Sequence, residues 1–81
     1  MTQQERAKAF VYGMNVLVCS ECGGDVLASR DELEAVCNET GVDVTKVMKF
    51  FRETESYSQA IYLAANMNDA QYMERFGKDN N

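Results

Sequence analysis

The sequence lacks several residue types, and each absence narrows what the protein can be. Its 81 residues include no proline, no histidine, no tryptophan and only five glycines. Proline and glycine are the residues that most often interrupt helices, so their scarcity favours an all-α fold. Without histidine, a catalytic cysteine would have no imidazole base. Glycine-rich phosphate loops and nucleophile-elbow motifs are missing too, and we therefore expect neither catalysis nor a bound cofactor.

Basic residues are also fewer than acidic ones. Eight Lys and Arg residues against thirteen Asp and Glu give a net charge of −5. This balance argues against broad, non-specific binding to nucleic acids or anionic membranes. No apolar run approaches the roughly 18 residues of a membrane span, and no signal-peptide pattern opens the chain. We expect a cytoplasmic protein with one small domain at residues 1–77 and a frayed tail at 78–81.

Cysteine is rare, but two of the three cysteines form a suggestive pair. Cys19 and Cys22 lie in the run CSECGG, and a Cys-x-x-Cys followed by glycines is how many zinc knuckles begin. A structural zinc site needs four ligands, and the third cysteine, Cys37, has no partner beside it. A carboxylate or a second chain would have to complete the set. The sequence therefore favours free or packed thiols over a metal site.

Capping signals and apolar spacing predict a bundle of four to five helices. The first runs from Thr2 to about Cys22, with Thr2 and Glu5 forming a capping box. Gly13 lies inside this helix, where the missing side chain would let a neighbouring helix approach closely. A glycine pair ends the helix.

Two further helices are predicted in the middle of the chain. One occupies residues 30–40 and begins at a capping box formed by Ser29 and Glu32. The other occupies residues 44–54. Between them, Gly41 can adopt the left-handed conformation that ends a helix.

The stretch at residues 33–52 resembles the helix-turn-helix of small bacterial and phage regulators. That motif has a small residue in its first helix, a glycine four positions later, an apolar residue, a cap and buried anchors in its second helix. These slots are filled here by Cys37, Gly41, Val42, Asp43, Val47 and Phe50. The resemblance implies that the second helix of the pair contacts DNA.

The charge pattern fits this implication. From Val44 to Arg52 there are three basic residues and no acidic one. If the resemblance holds, the exposed side chains of this helix face the DNA. Thr45 and Met48 would contact base edges, and Lys49 and Arg52 would contact phosphates or guanine. The predicted DNA-binding residues are Thr45, Lys46, Met48, Lys49 and Arg52. An ordinary solvated helix face is the alternative.

The C-terminal third is rich in apolar residues. A helix is predicted after Ser56, and Asp69 would cap a short final helix ending at Gly77, although one long helix bent near Asn68 fits nearly as well. Its apolar residues predict either the completion of the core or a face for a partner or a second copy. The candidate partner residues are Ile61, Leu63, Met67, Tyr72, Met73 and Phe76.

Two functions from different classes follow. The first is a helix-turn-helix transcription regulator that binds duplex DNA, acting as a homodimer. The second is an acidic protein-binding regulator, of the kind phages direct at host enzymes or nucleoprotein complexes, that does not bind DNA itself.

Overall fold

The computed structural model describes residues 1–79, and five helices form within that range. They are α1 (Gln3–Cys22), α2 (Val26–Thr40), α3 (Val44–Glu53), α4 (Tyr57–Ala65) and α5 (Asp69–Phe76). The predicted all-α class is confirmed. None of these five helices is both long enough and apolar enough to cross a lipid bilayer.

The ends of α1 follow directly from its sequence. The Thr2 hydroxyl accepts a hydrogen bond from the Glu5 amide, and the Glu5 carboxylate accepts one from the Thr2 amide. Gly23 then ends the helix in the left-handed conformation, with φ of 74°. The predicted capping box and glycine stop are confirmed.

The start of α2 differs from the prediction. The helix begins at Val26, because the Asp25 carboxylate accepts a hydrogen bond from the Ala28 amide and caps the helix there. Ser29 is therefore inside the helix, and its hydroxyl oxygen lies 3.1 Å from the Asp25 carbonyl oxygen and 3.2 Å from the Cys19 sulfur. The capping box predicted at Ser29 was wrong because a competing cap lies four residues earlier.

The C-terminal third forms two helices with a clear break between them. Ser56 caps α4 as predicted, accepting a hydrogen bond from the Gln59 amide. The α5 cap is Asn68, paired with Gln71 in a capping box, so the cap predicted at Asp69 was one residue too late. Asp69 instead forms ion pairs with the Met1 ammonium and with Arg6.

Aromatic rings from three helices form the centre of the core. Phe10 of α1 is fully buried. Its ring lies 4.8 Å from that of Phe76, 5.7 Å from those of Phe50 and Phe51, and 6.3 Å from that of Tyr72, mostly edge to face. Such pairs stabilise a core beyond the area they bury.

Gly13 brings α1 and α3 together, as predicted. A Cβ atom at this position would lie 2.9 Å from a ring carbon of Phe51 and 3.4 Å from a methyl carbon of Val47. Only glycine allows this approach without displacing buried side chains.

The segment after α5 packs against the turn between α2 and α3. The Asp43 amide donates to the Phe76 carbonyl at 2.8 Å, and the Lys78 amide donates to the Gly41 carbonyl at 3.1 Å. Lys78 and Asp79 also make side-chain hydrogen bonds. Of the tail predicted at 78–81, these first two residues are bonded to the domain, and residues 80–81 lie outside the described part of the chain.

Candidate nucleic-acid interface

The turn between α2 and α3 fixes where α3 begins. Gly41 takes the left-handed conformation with φ of 74°. The Asp43 carboxylate then accepts hydrogen bonds from the Thr45 amide at 2.8 Å and the Lys46 amide at 3.4 Å. Because its own carboxylate occupies these amides, the start of α3 offers no open site for an anion. Any anion must be bound by side chains further along the helix.

One face of α3 is buried and the opposite face is open to solvent. Val47, Phe50 and Phe51 pack into the core. Thr45, Lys49 and Arg52 are exposed. Since residues four and three apart lie on the same side of a helix, these three side chains form one line, which we call the α3 crest.

The structure separates the two other predicted DNA contacts from this crest. Met48 is half-buried and packs against the core, with its sulfur next to Gly13 of α1. Lys46 donates to the Gly77 carbonyl at 2.8 Å and to the Asp79 carboxylate at 2.9 Å. Thus three of the five predicted contacts are aligned and exposed, and two are partly engaged within the domain.

A groove runs along each side of the crest. The α2-side groove has a volume of about 460 Å³ and is lined by Arg30, Val44, Thr45, Met48, Lys49, Arg52 and Glu53. The α5-side groove has a volume of about 270 Å³ and is lined by Lys46, Lys49, Phe50, Glu53, Arg75 and Phe76. Lys49 and Glu53 line both grooves, which places α3 as a ridge between them.

Basic side chains concentrate around this ridge. Five of the eight Lys and Arg residues in the chain line the two grooves: Arg30, Lys46, Lys49, Arg52 and Arg75. Within residues 1–79, Glu53 is the one carboxylate residue among those lining either groove. A protein with a net charge of −5 therefore carries a local cationic surface.

These cations differ in whether they already have a carboxylate partner. Arg75 pairs with Glu53 at 2.9 Å, and Lys46 pairs with Asp79 at 2.9 Å. Arg30 lies 3.8 Å from Glu34 of its own helix. Within the described range, Lys49 and Arg52 form no ion pair. The two unpaired cations both lie on the crest.

Sequence reasoning missed Arg30 and Arg75. Arg30 belongs to α2 and Arg75 to α5, so neither stands out in the local sequence of α3. Their position depends on how the three helices pack. The run of basic residues from Lys46 to Arg52 was the only signal of this surface in the sequence.

The candidate partner residues divide into two groups. Tyr72 and Phe76 are buried, with 0% and 1% of their surface exposed, so they complete the core and cannot contact a partner. Leu63 and Met67 line a groove of about 560 Å³ between α4 and α5. The last two candidates are half-buried Ile61, packed against the core, and exposed Met73, next to Gly41.

The three cysteines occupy different environments. Cys37 is fully buried and burial raises its pKa to about 11, whereas Cys22 is exposed. Cys19 is half-buried, and its sulfur lies 3.2 Å from the Ser29 hydroxyl oxygen. Within the described residues, no three Cys, Asp or Glu side chains converge as metal ligands would.

Comparison of this chain with protein-family models, with curated proteins and with solved structures finds no match.

Proposed function

We propose that the protein is a small, non-enzymatic regulator that binds duplex DNA by placing α3 in the major groove. The observation that carries this proposal is the convergence of five of the eight basic residues on the two grooves beside α3. Three helices contribute these residues, so the cationic surface is a product of the fold.

The shape of the ridge suits this role. An α-helix with its side chains is about 10–12 Å across, and the major groove of B-DNA is about 12 Å wide. Thr45 and Arg52 of the crest would face the base edges, where the Thr45 hydroxyl can donate or accept a hydrogen bond and the Arg52 guanidinium can bind guanine. Lys49, the cation shared by both grooves, would contact a phosphate.

The acidic remainder of the molecule supports selectivity. Residues 1–43 contain many more carboxylates than basic groups, and α2 carries Asp31, Glu32, Glu34 and Glu39 as exposed side chains. These charges repel phosphate and so favour an approach of DNA from the side of α3. A ten-residue helix reads few base pairs, and a homodimer on two half-sites would extend the sequence that is read.

The test is a salt-titrated binding assay on random-sequence duplex DNA. The double variant Lys49→Ala/Arg52→Ala should bind at least about tenfold more weakly, with a salt slope that is smaller by about one, for the phosphate contact of Lys49. The matched control is Lys8→Ala/Lys78→Ala, which removes the same charge from residues outside both grooves and should change affinity little. Equal losses of affinity in the two double variants would show that the crest is not the DNA-binding surface.

A protein-binding regulator is the second candidate function. It is favoured by the exposed acidic side of α2 and by the groove that Leu63 and Met67 line between α4 and α5. A partner with a basic surface, such as a protein built to hold nucleic acid, would complement this charge. This candidate predicts a stoichiometric protein complex and no retention of DNA at low salt by the purified chain.

A further inference from the structure

The α5-side groove contains two cations that the domain holds in place with its own carboxylates. Lys46 binds the Asp79 carboxylate and the Gly77 carbonyl. Arg75 binds the Glu53 carboxylate, and its guanidinium carbon lies 4.9 Å from the centre of the Phe50 ring. The α2-side groove, by contrast, contains the unpaired Arg52, and the unpaired Lys49 lines both grooves. The two grooves therefore differ in how much of their positive charge is neutralised.

We propose that the α5-side groove is a second phosphate-binding site for the DNA backbone, in which Lys46 and Arg75 exchange Asp79 and Glu53 for phosphate oxygens. The proposal rests on the proposed DNA-binding function and adds a contact from α5, outside the helix pair that resembles a helix-turn-helix. A carboxylate and a phosphodiester each carry one negative charge and offer oxygen acceptors at similar distances from a bound cation.

The position of the groove agrees with the shape of a duplex. Lys46 and Phe50 lie on the flank of α3 that faces α5, and Val44 and Met48 lie on the opposite flank. A major groove is bounded by two sugar-phosphate backbones. With α3 between them, one backbone would lie along the α2-side groove and the other along the α5-side groove.

The exchange requires little rearrangement of the protein. Both carboxylates are accessible, with 75% of the Asp79 side chain and 46% of the Glu53 side chain exposed. Exposed ion pairs of this kind contribute little to stability, so replacing them is easy. The Phe50 ring orients the Arg75 guanidinium, and the Gly77 carbonyl holds the Lys46 ammonium. Both cations are thus positioned before DNA arrives.

Because the carboxylates compete with phosphate, neutralising them should strengthen DNA binding. We expect Glu53→Gln and Asp79→Asn each to raise affinity for random duplex DNA about two- to fivefold at low salt. The matched control is Glu32→Gln. It removes the same charge from an exposed residue on the side of α2 opposite Arg30, and should change affinity less.

Removing the cations should have the opposite effect. Lys46→Gln and Arg75→Gln should each weaken binding and reduce the slope of log affinity against log salt by about one. Circular dichroism of each variant checks that the helices are intact. In the combination Arg75→Gln/Glu53→Gln, the gain expected from Glu53→Gln should fall to that of Glu32→Gln, since Arg75 is no longer there to be released.

Two results would overturn the proposal. One is an affinity gain in Glu53→Gln and Asp79→Asn no larger than that in Glu32→Gln. The other is an unchanged salt slope in Lys46→Gln and Arg75→Gln. If Lys49→Ala/Arg52→Ala still weakens binding at least about tenfold in that case, the proposed function stands and only the α5-side site is lost. Failure of the unaltered protein to bind DNA would instead overturn both.

Discussion

Single buried residues determine how much apolar surface is left for a partner. Tyr72 and Phe76 occur in the sequence as members of an apolar stripe, and the sequence did not decide between core and interface. Their rings lie 5.3 Å apart and both contact Phe10. The choice depends on the packing of α5 against α1, which helical spacing within α5 does not reveal. In this domain both side chains are buried in the core.

Tyr72 provides a test of the core. Its hydroxyl is buried and has no hydrogen-bond partner in residues 1–79, and burial raises its pKa to about 12. A buried polar group without a partner costs about 1–3 kcal/mol. We therefore expect Tyr72→Phe to raise the free energy of unfolding by about 1 kcal/mol in urea denaturation. Tyr62→Phe, at a position 67% exposed, should leave it unchanged. A clear loss of stability in Tyr72→Phe would mean that the hydroxyl has a partner in solution.

The buried thiol of Cys37 should make the free energy of unfolding fall at alkaline pH. Burial raises its pKa from 9.0 to about 11 in the folded chain. The unfolded chain therefore loses this proton first, and the stability that Cys37 contributes is complete below pH 9.0 and declines towards about pH 11. Denaturation at stepped pH should show a shallower decline for Cys37→Ala than for the unaltered protein. Cys22→Ala, at an exposed thiol, is the control. Parallel declines in all three proteins would contradict the buried thiol.

At the scale of elements, helix ends were predictable wherever one capping residue had no competitor. Thr2, Asp43 and Ser56 each cap the helix expected of them. The start of α2 was missed because both Asp25 and Ser29 satisfy the capping pattern, and the earlier cap yields a longer helix. The contact of the C-terminal segment with the turn before α3 had no signal in the sequence, since it joins residues far apart in the chain.

Gly77 ends α5 and begins this C-terminal segment. A Cβ atom at this position would overlap the carbonyl oxygen of Met73, which is backbone and cannot move aside cheaply. We expect Gly77→Ala to lower the free energy of unfolding by about 1–3 kcal/mol, as overpacked sites do. Gly24→Ala is the control, because its nearest neighbouring atoms would be 3.4 Å away. Equal stability of the two variants would show that the chain at Gly77 does not approach the Met73 carbonyl this closely.

For the whole molecule, the distribution of charge matters more than its sum. The net charge of −5 by itself speaks against DNA binding, and the basic run in α3 was the one local signal in its favour. Folding adds Arg30 and Arg75 to that run, and of the exposed carboxylates of α2 only Glu34 lies beside it, paired with Arg30. The fold class, and the position of the crest on α3, could thus be predicted from the sequence. The two-sided cationic surface required the packing of three helices.

The most direct test of DNA binding through α3 is selection from a pool of random duplexes, with rising salt and sequencing of the bound DNA. We predict enrichment of a short site, arranged as an inverted repeat if two copies bind together. The enrichment should vanish in Lys49→Ala/Arg52→Ala and persist in Lys8→Ala/Lys78→Ala. Retention of no DNA by the unaltered protein, even at the lowest salt, would contradict the account and leave the protein-binding candidate in its place.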